Sequence, residues 1–166
     1  MRKFCLIAQF IGFLSFTASP ALADIAGGLA AYDGGDYAEA LAEWRPLARA
    51  GDPEAQTALA GMYAQGLGVA ENPSMAAEWY RRAACQGAGI AQLNLGDMYA
   101  RGIGVRRDRE TAVAWLQLAA QNGLAWAARR RDEITRASAN EHEEEKSALR
   151  TSVFSPHYSV QRPGTN

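Results

Sequence analysis

The chain has 166 residues, 48% of them hydrophobic and 21% charged, and its formal net charge is −1. This length corresponds to one domain. The nearly balanced charge excludes both the basic footprint of a nucleic-acid-binding protein and a polybasic patch that would hold the protein at a membrane surface.

The first 23 residues predict a secretory signal peptide. Arg2 and Lys3 precede an apolar run over residues 4–16, and a small-residue site ends at Ala23. The run is shorter than the roughly 20 residues of a membrane-spanning helix. We therefore expect cleavage between Ala23 and Asp24, and a periplasmic or secreted protein with no stable membrane anchor.

Cleavage at that site would leave Cys85 as the single cysteine of the mature chain, because the other cysteine is Cys5. The mature chain could then form no intramolecular disulfide. The sequence predicts a structural or free thiol at Cys85, with the pairing of two chains into a homodimer as the alternative.

A block of 36 residues occurs twice, at 55–90 and at 91–126. The two copies align without a gap, and the shared residues of the first copy are Ala55, Gln56, Leu59, Met62, Tyr63, Gly66, Gly68, Val69, Ala76, Trp79, Ala83 and Gly87. A fixed period of this length predicts a stack of helix–turn–helix units, none of which can bury its apolar face alone.

Capping residues place the helices. Asp36, Asn72 and Asp108 recur every 36 residues and predict the starts of three second helices, each closed by a glycine at 51, 87 or 123. Upstream of the full repeats this spacing defines a degenerate unit over residues 24–54. Its first helix is expected at about 25–32, and Pro46 should bend its second helix or disturb the last turn.

Beyond the repeats, residues 127–137 predict a lone capping helix, since a terminal unit must present a polar outer face. Residues 138–166 form a polar tail that cannot bury a core. We expect low order there, with an extension of the capping helix through the acidic residues 141–145 as the alternative.

Both full units resemble the Sel-one-like repeat, a relative of the tetratricopeptide repeat. They share the motif A-Q-x-x-L-[GA]-x-M-Y, followed by G-x-G-V, A-x-x-W and A-A-x-x-G. Leu116 stands where the family usually has an aromatic residue, and Ala60 where it usually has glycine. The resemblance implies an all-α fold, a short right-handed α-solenoid, and the role of an adaptor or regulator in the bacterial envelope.

The residues that could suggest an enzyme have simpler interpretations. Gly66 and Gly68 follow a helix C-terminus, whose dipole repels phosphate. Cys85 has no basic partner in the repeats, and His142 with its neighbouring glutamates lacks the geometry of a metal site. We predict no catalytic residue, no cofactor, no metal and no enzymatic activity.

The resemblance also implies where a partner binds, because the first helices of such units line a concave groove. The predicted partner-binding residues are Glu54, Thr57, Gly61, Gln65, Ile90, Leu93, Asp97, Arg101, Trp126, Arg129 and Glu133. Trp126 is expected either to anchor an interface or to cover the open end of the core. Residues 129–131, three arginines, either grip an acidic peptide or form a solvated face paired with Asp132, Glu133 and Asp108.

The predicted function is therefore an exported scaffold that binds a protein or peptide partner of unknown identity. The alternatives are a protein that binds a cell-wall or carbohydrate ligand and an enzyme that interacts with penicillin. The second alternative is weaker because the relatives linked to penicillin carry a cysteine pair in each repeat, which this chain lacks.

Overall fold

A computed structural model describes residues 24–153, with side chains described to residue 150. The predicted signal peptide and the last part of the polar tail lie outside these residues. The described residues form seven helices and no strand: α1 (Ile25–Asp33), α2 (Tyr37–Ala50), α3 (Pro53–Gln65), α4 (Pro73–Cys85), α5 (Gly89–Arg101), α6 (Arg109–Gln121) and α7 (Ala125–Val153). Each helix packs chiefly on its neighbours in the chain, which makes the fold an all-α solenoid.

The predicted caps start most of these helices. The side chains of Asp36, Asn72 and Asp108 accept hydrogen bonds from backbone N–H groups in the first turns of α2, α4 and α6. Helix α5 has no such cap, since Ala88 precedes it and supplies no side-chain bond. Pro46 lies inside α2, which continues to Ala50, and the bend expected there stays a prediction.

The second glycine of each G-x-G-V loop makes a close backbone contact with the unit before it. Gly104 has a φ of +68°, and a Cβ atom there would lie 2.2 Å from the Pro73 carbonyl oxygen at the start of α4. Gly68 has a φ of +64° and approaches Tyr37 at the start of α2 in the same way. These positions require glycine both for the left-handed backbone and for the close contact.

Small residues allow the two helices of a unit to approach each other. A Cβ atom on Gly96 of α5 would lie 2.8 Å from Cγ of Leu116 on α6. In the preceding unit the corresponding residues are Ala60 and Tyr80, and both are buried. The two departures from the family pattern, Ala60 and Leu116, thus lie where the two helices of a unit meet. The first unit pairs alanine with tyrosine at this contact, and the second pairs glycine with leucine.

A buried glutamine links three successive helices at each junction between units. Gln92 of α5 is 3% exposed. Its Nε2 donates to the Ala84 carbonyl of α4 at 3.1 Å, and its Oε1 accepts from Nδ2 of Asn122, after α6, at 2.8 Å. Gln56 makes the equivalent bonds one repeat earlier, to Ala48 at 3.1 Å and from Gln86 at 2.9 Å.

Helix α7 closes the stack and is longer than the predicted capping helix. Ala127 and Ile134 are buried in a cluster with residues of α5 and α6, so its first turns cover the end of the core. The helix does not stop at residue 137 but continues through the acidic residues to Val153, which agrees with the alternative of an extended capping helix. Glu141 accepts two hydrogen bonds from Arg109, one of them at 2.6 Å, which ties the acidic part to the start of α6.

Cys85 is the last residue of α4 and is half-buried. The predicted thiol at Cys85 stays a prediction, because residues 24–153 contain no other cysteine. A homodimer through Cys85 stays a prediction.

Candidate interaction surface

The residues predicted to meet a partner lie on α3, on the start and body of α5, and on α7, the first helices of successive units. We call those whose side chains or backbone reach solvent the A-helix face. Its members are Glu54, Thr57, Gly61, Gln65, Ile90, Asp97, Arg101, Trp126, Arg129 and Glu133, which are all exposed or partly exposed.

Leu93 does not belong to this face. It is only 1% exposed and lies in a buried cluster with Leu116, Ala127 and Ile134. Its prediction as a partner-binding residue is wrong, because its side chain is buried in a core cluster with residues of α6 and α7. The repeat spacing shows which helix face Leu93 lies on but not which later helices bury it.

A salt bridge joins the A-helix face from α5 to α7. Nε of Arg130 donates to a carboxylate oxygen of Asp97 at 2.7 Å, and its NH1 donates to Glu133 at 3.0 Å. These bonds, led by the one to Asp97, raise the pKa of Arg130. Because about a third of each side chain of the α5–α7 pair is exposed, the pair contributes modestly to stability. Its main effect is that two predicted partner-binding carboxylates are already engaged.

The run of three arginines is largely paired within the chain. Arg131 donates to Asp132 at 2.6 Å and also contacts Gln117, and Arg130 pairs as described. The expected pairing with Asp108 is absent, since that carboxylate accepts bonds from Thr111. Arg129 is exposed and makes no ion pair with any side chain of residues 24–150.

A hydroxyl group lies beneath the A-helix face in the first full unit. Tyr80 of α4 is 7% exposed, and burial, with a smaller contribution from Tyr32, raises its pKa to about 12. A Cβ atom on Gly61 would lie 3.6 Å from the Tyr80 hydroxyl. That hydroxyl makes no hydrogen bond with other described residues, and glycine at position 61 places no side chain next to it.

Tyr80 is the residue that sequence reasoning missed, because it assigned this part of α4 to packing. The signal was present in the alignment of the repeats. Tyr80 occupies the position of Leu116, and Gly61 that of Asp97. The first unit thus pairs the family's usual aromatic residue with a glycine on the facing helix, which places no side chain next to the hydroxyl.

Two apolar side chains are exposed at equivalent positions of successive units. Ile90 is 56% exposed, and Trp126, 36 residues later, is 54% exposed. The corresponding residue of the preceding unit is Glu54, also exposed. With more than half of its surface in solvent, the Trp126 side chain adds little to the cover over the end of the core, which is formed by Ala127 and Ile134.

Comparison with known proteins identifies the repeat. The Sel1 repeat family matches residues 53–87 and 89–124. The chain contains two Sel1 repeats. No functionally curated protein matches the sequence.

Solved structures with Sel1 repeats have the same fold. A Sel1 repeat protein from Oxalobacter formigenes is 31% identical with a TM-score of 0.65, and the match covers 69% of this chain and 47% of that protein. A protective antigen present in uropathogenic Escherichia coli strains, which displays an SLR fold, is 32% identical with a TM-score of 0.65, over 69% of this chain and 26% of the antigen. The chain thus matches about half and about a quarter of the length of these relatives.

The Sel1 repeat is generally a non-catalytic scaffold, typical of protein–protein interaction. Within the described part of the chain, no three His, Cys, Asp or Glu side chains are grouped so that they could hold a metal ion. In the same part, no helix combines the length and the apolar character needed to cross a membrane.

Proposed function

We propose that the protein is an exported scaffold that binds a protein or peptide partner on the A-helix face and acts as an adaptor or regulator in the bacterial envelope. The observation that carries the proposal is the Tyr80 hydroxyl, which makes no hydrogen bond with the described residues and would lie 3.6 Å from a Cβ atom on Gly61 of this face. A nearly buried hydroxyl offers a partner's backbone a directional hydrogen bond with little loss of side-chain entropy.

Apolar contacts support the same surface. Ile90 and Trp126 expose large side chains at successive repeat positions, and exposed aromatic residues are common anchors in protein interfaces. The other three tryptophans favour a carbohydrate ligand less. Trp44 and Trp115 are buried at 2% and 7% exposure and cannot stack on a sugar, and the partly exposed ring of Trp79 is contacted by the Arg82 guanidinium, 4.4 Å from the ring centroid.

The binding proposal is tested by cross-linked affinity capture from the native envelope fraction with the tagged mature protein. Two variants alter the face: Gly61→Arg covers the Tyr80 hydroxyl, and Trp126→Ser removes the exposed ring. The matched control is Leu29→Ser, which removes an apolar side chain of similar exposure (49%) from α1, outside the face. All variants should keep the melting curve of the wild type.

We expect a specific protein to be captured by the wild type and by the Leu29 variant and lost with either face variant. Equal capture by all four proteins would contradict the assignment of the A-helix face. Export is tested separately by N-terminal sequencing of the protein isolated from cells, which should begin at Asp24. An intact N-terminus at Met1 would contradict export by cleavage.

A further inference from the structure

A basic surface cavity lies outside the A-helix face. It has a volume of about 560 Å³ and lies between α4, α5 and the loop before α6, with a lining of Arg81, Tyr99, Val105, Arg106, Arg107 and Asp108. None of these residues was predicted to bind a partner. We propose that this cavity binds an acidic peptide segment through its glutamate or aspartate carboxylates.

The charges of the lining are unbalanced. Arg81, Arg106 and Arg107 form no ion pair with a carboxylate among the described residues, unlike Arg82, Arg109, Arg130 and Arg131 elsewhere in the chain. The single acidic residue, Asp108, caps α6 and accepts bonds from the Thr111 backbone N–H at 3.1 Å and hydroxyl at 2.6 Å. Three guanidinium groups therefore face one carboxylate that is already engaged.

Two of the guanidinium groups are held by the fold. NH2 of Arg81 lies 3.3 Å from the Tyr99 hydroxyl, and Nε of Arg107 donates to the Ala100 carbonyl at 3.0 Å. Fixing Nε in this way leaves the terminal nitrogens of Arg107 available. A guanidinium that is already oriented loses less entropy when it binds a planar carboxylate.

The repeat itself shows that the scaffold does not need these arginines. The first full unit has Ala70 and Glu71 where the second has Arg106 and Arg107. The loop is otherwise the same, because the N–H of the capping residue donates to the carbonyl of the equivalent tyrosine at 2.8 Å in the first unit and 2.9 Å in the second. The arginines are thus a property of this cavity rather than a requirement of the fold.

The chain shows which group this surface accepts. Beside the cavity, a smaller depression is lined by Arg107, Arg109 and Glu141, and the Glu141 carboxylate accepts two bonds from the Arg109 guanidinium. The bond from Arg109 is the largest cause of the lowered pKa of Glu141, and the charge of Arg107 contributes. Glu141 belongs to the acidic part of α7. One end of the basic surface therefore already holds a carboxylate that a helix of the same chain presents.

The repeat supplies both a loss variant and a gain variant. The double variant R106A/R107E gives the second unit the loop residues of the first. The reverse variant, A70R/E71R, writes the arginines into the first unit, where Arg45 and Tyr63 already stand at the positions of Arg81 and Tyr99. The control R49A/R136E makes the same charge change at two exposed arginines outside the cavity.

Binding is measured by fluorescence anisotropy of a labelled hexaglutamate peptide and a hexaglutamine peptide of equal length. We expect the wild type to prefer the acidic peptide, R106A/R107E to bind it roughly tenfold more weakly, and the control to keep most of the affinity. A70R/E71R should bind a second peptide per chain. Equal binding of both peptides, or equal loss in the control, would overturn the proposal.

Inorganic phosphate separates the two chemical sources of negative charge. If the cavity bound phosphate but not the acidic peptide, the assignment to a carboxylate-bearing segment would be wrong. Because the cavity shares no residue with the A-helix face, failure here leaves the proposed function untouched, and the reverse is also true.

Discussion

Replacing the buried Gln92 by alanine removes the side chain that links α4, α5 and the end of α6. The variant loses the bond from Nε2 to the Ala84 carbonyl at 3.1 Å and the bond from Asn122 to Oε1 at 2.8 Å. The same position in the first full unit, Gln56, makes the equivalent bonds. The two sites should therefore respond alike.

The expected loss of stability depends on which hydrogen bonds the Ala84 carbonyl and the Asn122 side chain keep in the variant. Each lost hydrogen bond contributes about 1 kcal/mol, and a fully orphaned buried group would add about 1–3 kcal/mol. The Ala84 carbonyl keeps a bond from the Gly87 N–H, and Asn122 keeps its bond to the Gly87 carbonyl, so neither group is fully orphaned. With the small void left by the truncation, we expect a loss of about 2–3 kcal/mol in the free energy of unfolding. For a domain of this size, each kcal/mol lowers Tm by about 3 °C.

Urea unfolding followed by circular dichroism measures this loss. The control is Gln121→Ala, the same change at an exposed residue of α6 that makes no side-chain hydrogen bond with the described residues. It should stay within about 0.5 kcal/mol of the wild type. If Gln92→Ala were equally mild, the hydrogen-bonded link would contribute nothing and our account of the junction would be refuted.

A second variant, Gln92→Glu, separates hydrogen bonding from packing because it preserves size. The ionised carboxylate can accept from Asn122 but cannot donate to Ala84, whereas the protonated form can do both. Burial and the Ala84 carbonyl should thus raise the pKa of the introduced carboxyl group above its unfolded value. The folded state then binds more protons, so the variant should lose stability as pH rises above about 4.3. A variant with the same pH dependence as the wild type would contradict this reasoning.

Two further predictions concern backbone contact and titration. Gly104→Ala combines a left-handed backbone with a Cβ atom 2.2 Å from the Pro73 oxygen. It should cost at least about 2 kcal/mol more, on the order of backbone-strain energies, than Gly123→Ala, which has a φ of +91° but open space; equal unfolding midpoints would show that the loop contact is unimportant. Because the pKa of Tyr80 is about 12 in the folded state against about 10 unfolded, stability should fall as pH rises from about 10 to 12. Tyr80→Phe should show a smaller fall in its urea midpoint, and an identical pH profile would mean that the hydroxyl is not buried as described.

The sequence alone determined the helices and their order. The period of 36 residues, the capping residues and the left-handed glycines are local signals, since a cap bonds within its own first turn and a glycine tolerates a positive φ wherever it stands. For this reason the observed helices begin and end within a residue or two of their predicted bounds as far as α6. The capping helix was the exception, because its polar residues carry no local stop signal and the predicted end at residue 137 reflected only the lack of apolar positions.

The candidate surfaces depended on contacts between units that are distant in the sequence. Repeat spacing placed Leu93 on the A-helix face, but it is buried with residues of α6 and α7, and no local pattern records what later helices will bury. Repeat spacing also gave no sign that the Tyr80 hydroxyl would lie next to Gly61. Likewise, Arg81 joins Arg106 and Arg107 in one cavity only because α4 packs beside the following unit. Local interactions fix the path of each helix, whereas accessibility and charge clustering arise from tertiary packing.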